Sequence, residues 1–268
     1  MTLFMLEIIP LFSGSSGNSS YVRYGSTELL IDAGVSCRTL SLALEKIGTA
    51  LENISCVLVT HEHIDHIRGL ETICKKREIP VYINSASANI IKQGGKNPFL
   101  CKCLKIFEPG SDIMLSAEIS VHAFKTPHDS GGSVGYRINA GESETGDSFS
   151  YVTDIGYVTR DIARNIFGSK TIIFESNHDV EMLKNGDYPE YLKSRIMSDH
   201  GHLSNDACAK FIPYLASNGT QKIILAHLSK ENNTAEKAFS SASEALRSAG
   251  YEKICLEIAP GSILDNET

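Results

Sequence analysis

The chain has 268 residues, of which 42% are hydrophobic and 21% are charged, a composition that excludes a disordered protein and suits one folded domain over residues 1–268. Its formal net charge is −7, so no global basic field attracts nucleic acid, and any affinity for phosphate must be local. The seven cysteines contain no C-x-x-C spacing, which favours reduced thiols in the core and a cytoplasmic protein.

The predicted elements begin with an apolar stretch at residues 3–11. Glu7 interrupts this stretch and no basic leader precedes it, so we interpret it as a first strand rather than a signal peptide or a membrane span. We therefore expect no association with a membrane. The first helix is expected between Ser36, which can cap it, and Gly48, because leucines recur at helical spacing between these two positions.

The rest of the chain continues this alternation of strand and helix patterns without a linker or a repeat. Further strands are predicted at residues 21–24, 28–31, 56–59, 80–83, 119–125, 134–138, 149–153, 171–174, 222–226 and 253–258. Further helices are predicted at residues 70–76, 161–167, 205–215 and 235–249. The alternation is typical of the α/β class.

A dense group of polar side chains follows the strand predicted at residues 56–59. His61, His63, Asp65 and His66 lie within six positions. Imidazole and carboxylate are the ligands that zinc, iron and manganese share, and alternation in an extended segment turns His61 and His63 to the same side. Because such side chains would repel protons and one another without a cation, the group indicates a metal site rather than a solvated loop.

Three more candidate ligands follow later strands. His128, Asp154 and His227 each stand at or just after a predicted strand end. Loops at strand ends are where α/β scaffolds assemble sites from distant parts of the sequence. Each histidine alone could equally be a structural residue, but the three residues together with the earlier group predict one metal centre.

In this order the motifs resemble the metallo-β-lactamase superfamily, whose pattern is an early Asp, H-x-H-x-D-H, a later His, an Asp and a final His. The resemblance covers nearly the whole chain and implies an αβ/βα sandwich of two mixed β-sheets flanked by helices. Asp32 matches the early Asp, an outer residue that orients the ligand loop and is not a ligand. The implied metal ligands are His61, His63 and His128 for one ion, Asp65, His66 and His227 for the other, and Asp154 between them.

Four shorter motifs, at residues 13–19, 32–34, 201–205 and 227–234, resemble the bacterial YycJ/WalJ group, which is associated with exonuclease activity on DNA. This resemblance makes a phosphodiester the expected substrate, and a nucleic acid the expected partner. The first motif offers backbone N–H groups and hydroxyls to an anion, so we expect substrate contacts from Ser15, Ser16, Gly17 and Asn18. The alternative is that it merely forms a tight connection between strands.

The resemblance implies hydrolysis by a hydroxide that bridges two divalent ions, with zinc as the expected metal and manganese or iron as alternatives. Asp65, besides binding metal, could take the proton from the bridging water. The ions bring four positive charges and Asp65 and Asp154 bring two negative ones, so the metal core is positive within a negative molecule.

Ribonuclease Z, a phosphodiesterase of the same superfamily, pairs a Glu after a strand with a His that binds no metal. Glu175 and His202 resemble that pair, which implies that Glu175 orients His202 to protonate the leaving group. The alternative is that His202 only caps the helix that begins at Asn205. His178 follows Glu175 in the same loop and is expected to face the cleft as a substrate contact.

Other activities of the superfamily remain as alternatives. A thioester hydrolase of the hydroxyacylglutathione type would use the same ligands, but we see no basic cluster near the end of the chain. The segment between His128 and Asp154 is short and acidic, unlike the basic arm of ribonuclease Z, so DNA is favoured over RNA. Residues 154–227 are expected to hold only two helices, a strand and connections, which leaves a compact nuclease or a hydrolase of small cyclic phosphodiesters.

Overall fold

Two β-sheets lie face to face and carry helices on their outer sides, in a computed structural model that describes residues 5–141 and 146–265. Both sheets are mixed. The predicted α/β class and the αβ/βα sandwich are therefore confirmed. Leu3 and Phe4, which belong to the predicted first strand, lie outside the described residues.

The first sheet comes from the first half of the chain and has its six strands in sequence order. Among its first three strands each neighbouring pair is antiparallel, and the third to sixth strands run parallel to one another. The strands are β1 (Glu7–Phe12), β2 (Ser19–Tyr24), β3 (Thr27–Ile31), β4 (Ile54–Leu58), β5 (Val81–Asn84) and β6 (Leu104–Phe107).

The second sheet comes from the second half and has its seven strands in the order β13-β12-β11-β10-β9-β8-β7. Strands β10 to β13 are parallel, whereas β7 to β10 are antiparallel. The strands are β7 (Asp112–Met114), β8 (Ile119–Thr126), β9 (Ser133–Ala140), β10 (Asp147–Val152), β11 (Thr171–Glu175), β12 (Lys222–Ala226) and β13 (Cys255–Ile258).

Ten α-helices are found in the described part of the chain, and none of them is long and apolar enough to cross a bilayer. They are α1 (Cys37–Lys46), α2 (Ile64–Ile67), α3 (Leu70–Lys76), α4 (Ser85–Gly94), α5 (Pro98–Cys103), α6 (Arg160–Ile166), α7 (Val180–Asn185), α8 (Glu190–Ile196), α9 (Asn205–Ser217) and α10 (Ala235–Ser248). The side chain of Ser36 caps α1 as predicted, by accepting a hydrogen bond from Thr39 N.

Alternation along the strands divides the buried side chains among three apolar layers. In β3, Leu29 and Ile31 pack between the two sheets, whereas Leu30 packs against the helices that cover the first sheet. In the second sheet Ile172 and Phe174 turn outward to α6, α9 and α10. Each sheet therefore buries both faces, and only its edges and strand ends are left to form a site.

One prediction about the second half is wrong. Residues 154–227 hold four helices, α6 to α9, instead of the two expected, whereas the strands β11 and β12 match those predicted at residues 171–174 and 222–226. The additional helices α7 and α8 have six and seven residues. Each of them buries a single side chain, Leu183 in α7 and Lys193 in α8, so neither shows the repeated apolar positions that predict a helix. They matter because they close one side of the site.

Candidate metal centre

Three neighbouring parallel strands of the second sheet carry polar side chains at or just after their carboxyl ends. Asp154 lies just beyond β10, Glu175 is the last residue of β11, and His227 follows β12 directly. Asp154 and His227 have φ angles of 58° and 59°, and Asp32 after β3 has a φ of 62°. The left-handed conformation costs a residue with a Cβ roughly 1–2 kcal/mol, so its repetition at three strand ends indicates that the site requires it.

The ligand loop comes from the first sheet. His61 follows Thr60 just after β4, His63 is the N-cap residue of α2, and His66 lies within that helix. His61 and His63 point toward the same space, because His61 Nε2 lies 2.9 Å from His63 Nδ1. Both residues thus face the same way, as the alternation predicted.

The two sheet edges bring all seven predicted ligands together. In each of four groups, one potential ligand atom per residue lies within 4.8 Å of the others. Two of these groups are the predicted sets for the two ions, and a third joins Asp154 to members of both sets. The fourth contains Glu175 and His202. In full, the groups are His61, His63 and His128; Asp65, His66 and His227; His61, His66 and Asp154; and Asp154, Glu175, His202 and His227.

Asp154 lies between the two predicted sets. Its Oδ2 is 3.6 Å from His66 Nε2, and its Oδ1 is 3.6 Å from His227 Nε2 and 3.9 Å from His128 Nε2. One carboxylate therefore faces imidazoles of both sets, as a bridging ligand must. The role of all seven residues as ligands stays a prediction.

The donor atoms fit divalent metal ions. Among the described residues, Asp154 and His227 are at most 3% exposed, so water hardly reaches them. Yet Asp154 Oδ2 and His227 Nε2 have no hydrogen-bond partner within the protein. A buried polar atom without a partner costs about 1–3 kcal/mol, and a bound cation would remove that cost for both atoms. Nitrogen and oxygen donors in this number are typical of zinc, manganese and iron sites.

The pKa values of the buried imidazoles are shifted in opposite directions. Burial lowers the pKa of His61 well below its ordinary value, and the neighbouring His66 lowers it further. Burial also opposes the charged form of His66, but Asp32 and Asp154 outweigh it and raise its pKa to about 9. Asp154 and Glu175 likewise outweigh burial at His227 and raise its pKa to about 10. Positive charge is therefore favoured where the predicted ions would sit.

Outer partners hold the Nδ1 atoms of three histidines, whose Nε2 atoms lie 3.6 to 3.9 Å from the carboxylate oxygens of Asp154. Asp32 Oδ2 lies 2.8 Å from His66 Nδ1 and also accepts a hydrogen bond from the Thr60 hydroxyl. The Gly201 carbonyl accepts a 3.3 Å hydrogen bond from His128 Nδ1. Such partners fix the ring and its tautomer. Asp32 belongs to none of the four groups, and its role as an orienting residue stays a prediction.

Glu175 holds the third of these histidines and also His202. Its Oε1 lies 2.8 Å from His202 Nδ1 and 2.9 Å from His227 Nδ1, and its Oε2 accepts a hydrogen bond from Ile155 N. Burial raises the pKa of Glu175, but the two imidazoles outweigh burial and lower it to about 2. A charged carboxylate is thus shared between a predicted ligand and a histidine outside the predicted set.

His202 does not cap α9, so that alternative is wrong. The N-cap residue is Ser204, whose hydroxyl accepts a hydrogen bond from Ala207 N. His202 instead lines a cavity of about 290 Å³ at the metal centre, together with His63, Asp65 and Asp154. With its Nδ1 bound to Glu175, its Nε2 is the nitrogen available to a substrate.

The predicted substrate contacts are only partly at this cavity. Ser15 lines it, but Ser16 and Gly17 do not. Asn18 is buried, and its amide nitrogen lies 3.1 Å from His66 Nε2 and 3.4 Å from Asp65 Oδ2, so it contacts two predicted ligands instead of open space. The residues of this loop stay candidates for anion binding only where Ser15 reaches the cavity.

His178 does not face the cleft. It is 2% exposed, is not among the residues that line the cavity, and pairs through its backbone with Ser204. Burial lowers its pKa to about 4. Asn177 lines the cavity, whereas its neighbour His178 is buried in the protein, a direction that the sequence pattern does not reveal.

Several residues at the site were not predicted from the sequence. Thr60 links Asp32 to the ligand loop, Asp129 follows His128 at the cavity, and Tyr188 and Arg195 reach the cavity from the α7–α8 segment, residues 180–196. For Asp129 a signal was present, since it follows a predicted ligand. For Tyr188 and Arg195 none was available, because no element was predicted there.

Comparison with known proteins agrees with this geometry. Residues 27–228 match the family model described as the beta-lactamase superfamily domain. The chain is 37% identical to the exodeoxyribonuclease YycJ of Bacillus anthracis, over 92% of this chain and 91% of that protein. It is also 37% identical to the exodeoxyribonuclease WalJ of Streptococcus pneumoniae, over 85% of this chain and 83% of that protein.

A similarity in fold alone extends further. The crystal structure of Zn²⁺-bound PqqB from Methylobacterium extorquens superposes with a TM-score of 0.70 at 16% identity, over 96% of this chain and 98% of that one. Since the family model covers most of the chain, and since two relatives match it over most of their length, the chain belongs to the metallo-β-lactamase superfamily.

Proposed function

We propose that the protein is a dinuclear-metal-dependent phosphodiesterase that degrades DNA from an end. The observation that carries the proposal is the Glu175–His202 pair beside the complete set of predicted ligands. A histidine held next to a metal centre can protonate the alkoxide that leaves when a phosphodiester is cleaved. The printed names of two relatives, both exodeoxyribonucleases, support DNA as the substrate.

The seven residues His61, His63, Asp65, His66, His128, Asp154 and His227 would hold the two ions. When bound, the ions supply Lewis acidity and lower the pKa of water, which provides a nucleophile at neutral pH. We propose zinc as the metal, with manganese or iron as alternatives, since imidazole and carboxylate ligands suit all three. We also propose that the described residues act as one domain, because both sheets contribute ligands, and that it works in the cytoplasm.

The chain's own residues would move the protons. Water adds to phosphorus while the bond from phosphorus to the leaving oxygen breaks, and Asp65, which lines the cavity, takes the proton of the water. Glu175 keeps His202 oriented through Nδ1, and Nε2 of the protonated imidazole gives its proton to the leaving oxygen. The pKa of Glu175, about 2, keeps its carboxylate ionised, so that it can accept the hydrogen bond of His202 Nδ1.

The test is digestion of end-labelled single- and double-stranded DNA and RNA by the metal-loaded protein, with bis(p-nitrophenyl) phosphate, a cyclic nucleotide and S-lactoylglutathione as parallel substrates. We expect stepwise shortening of DNA from an end and slow turnover of the thioester. Preference for S-lactoylglutathione would select the thioester hydrolase, and cleavage of the cyclic nucleotide alone would select the hydrolase of small cyclic phosphodiesters.

A further inference from the structure

A basic side chain, Arg195, lines the cavity of the metal centre. Among the described residues that form its wall, Arg195 of α8 is the only lysine or arginine. Its Nε donates a short hydrogen bond to Asp129 Oδ2, and its side chain is 57% exposed. In a protein with net charge −7, a single guanidinium at the mouth of the site is a specific feature and not part of a general basic field.

Asp129 fixes where this guanidinium sits relative to the predicted metal ligands. Its Oδ1 lies 3.4 Å from His128 Nε2, while its other oxygen accepts the hydrogen bond of Arg195. Its backbone N–H donates to the carbonyl of His200, which holds the residue in place. One carboxylate thus links Arg195 to His128, which places the guanidinium beside the predicted ligands and outside their set.

The hydrogen bond to Asp129 uses only Nε. Within the described residues the two terminal amino groups of Arg195 have no hydrogen-bond partner. These two groups form the planar fork that binds phosphate oxygens in pairs. The carboxylate thus orients the guanidinium and leaves its phosphate-binding edge free.

The same segment adds an apolar wall beside the guanidinium. Tyr188, Leu192 and Ile196 line the cavity with Arg195. The wall is anchored, because His202 N donates to the Ile196 carbonyl at 2.9 Å, and buried Lys193 donates to the Lys184 carbonyl at 2.8 Å. An aromatic ring next to a cation is the arrangement that binds a base together with its phosphate.

We propose that the α7–α8 segment forms a nucleotide-binding subsite, in which Arg195 binds the phosphate next to the scissile one and Tyr188 and Leu192 contact the nucleoside between the two phosphates. The inference rests on the proposed phosphodiesterase function and narrows its substrate class. The preferred substrate is a nucleic acid strand with a second phosphate beside the bond that breaks, not an isolated phosphodiester.

Three small substrates test the inference with the metal-loaded protein. They are thymidylyl-thymidine, which has one phosphodiester, and the same molecule with an added 5′-phosphate or 3′-phosphate. The wild type is expected to hydrolyse one of the two phosphorylated forms with a kcat/KM about tenfold higher than the unphosphorylated form, mainly through KM, since a charge-assisted bidentate contact stabilises binding. The form that gains shows on which side Arg195 lies.

Arg195→Ala is expected to abolish this preference, and Arg195→Lys to restore part of it, because a lysine keeps the charge but not the fork. Arg247→Ala is the matched control: it removes the same charge from an exposed position on α10, and should keep the full preference. Tyr188→Ala should raise KM for all three substrates more than Tyr188→Phe does, since phenylalanine keeps the ring.

The outcomes separate the two proposals. If the wild type hydrolyses none of the three substrates nor DNA, the proposed function is wrong. If it hydrolyses all three equally, or if Arg195→Ala keeps the preference, the proposed function stands and the subsite is wrong. An equal loss of kcat on all three substrates in Arg195→Ala would also contradict the subsite, since it would place the arginine at the scissile phosphate.

Discussion

The predicted ligands at the strand ends, called here the ligand wall, and the α7–α8 segment both line one cavity, and the two are held in different ways. The predicted ligands His61 and His66 are fully buried, and Asp154 is 2% exposed. In the α7–α8 segment only Leu183 and Lys193 are buried, and Arg195 projects into solvent. The comparison teaches that the chemistry is built into the ends of the strands, whereas substrate recognition is added by a segment that packs lightly on top.

Among the substitutions in the ligand wall, removal of the Asp154 carboxylate should have the largest effect on metal content and activity. Asp154→Ala takes away the carboxylate that faces imidazoles of both sets, so we expect lower metal content and a loss of activity beyond the ~10²-fold that loss of an outer partner costs. Metal analysis and turnover on DNA measure this. Unchanged stoichiometry with unchanged activity would show that Asp154 is no ligand.

His202 lies where the two walls meet and tests chemistry apart from metal content. His202→Ala should keep both ions yet lose ~10²–10⁴-fold in turnover on DNA, the usual contribution of a positioned acid. With bis(p-nitrophenyl) phosphate most of the defect should vanish, because nitrophenolate departs without a proton. Equal defects on both substrates would instead make His202 a phosphate-binding residue.

Metal binding should depend steeply on pH. In the metal-free chain the pKa of His66 is about 9 and that of His227 about 10, so both imidazoles are charged at pH 7 and must lose a proton before binding an ion. Binding should therefore release about two protons per chain, and affinity should rise roughly 10²-fold per pH unit from pH 7 to near 9. Calorimetry in buffers of different ionisation enthalpy counts the protons. Binding without proton release would contradict the assignment of these two ligands.

Asp32 supports the ligand wall from behind. Asp32→Asn keeps the shape but removes the charge next to His66 Nδ1, so metal affinity should fall about 10–100-fold. Competition with a chelator measures the change. The matched control is Asp112→Asn, which removes a carboxylate from His122 at an exposed site and should leave metal affinity unchanged.

The lightly packed wall should show the smallest effect on stability. Arg195→Ala removes one half-exposed ion pair, which contributes only about 0–1 kcal/mol, so metal stoichiometry should stay the same and the melting temperature should change little. Thermal unfolding and metal analysis check this. A loss of metal in Arg195→Ala would show that the two walls depend on each other.

The sequence predicted the ligand wall well, because each ligand follows an apolar strand whose pattern is plain. The helix predicted at residues 70–76 matches α3 (Leu70–Lys76), and all seven predicted ligands lie at the same site. The shared role of Glu175 was missed for a topological reason: β11 lies between β10 and β12, which places Glu175 next to His227 as well as His202.

The other wall was not predicted. The helices α7 and α8 bury only Leu183 and Lys193, so they lack the repeated apolar positions from which a helix is predicted. The direction of His178 was wrong for a related reason, since a loop pattern does not say which of its residues turn inward. Sequence patterns report strands that cross the core better than segments that rest on it.

The predicted ligands come from both halves of the chain, so bound ions would also restrict the unfolded polypeptide. His66 belongs to the ligand loop after β4 and His227 follows β12 directly, so an ion bound by these two predicted ligands would join two points separated by most of the sequence. A link that closes so long a loop restricts an unfolded chain far more than a compact one. The metal centre thus resembles a long-range disulfide made without cysteine, and unlike a disulfide it can be withdrawn by a chelator.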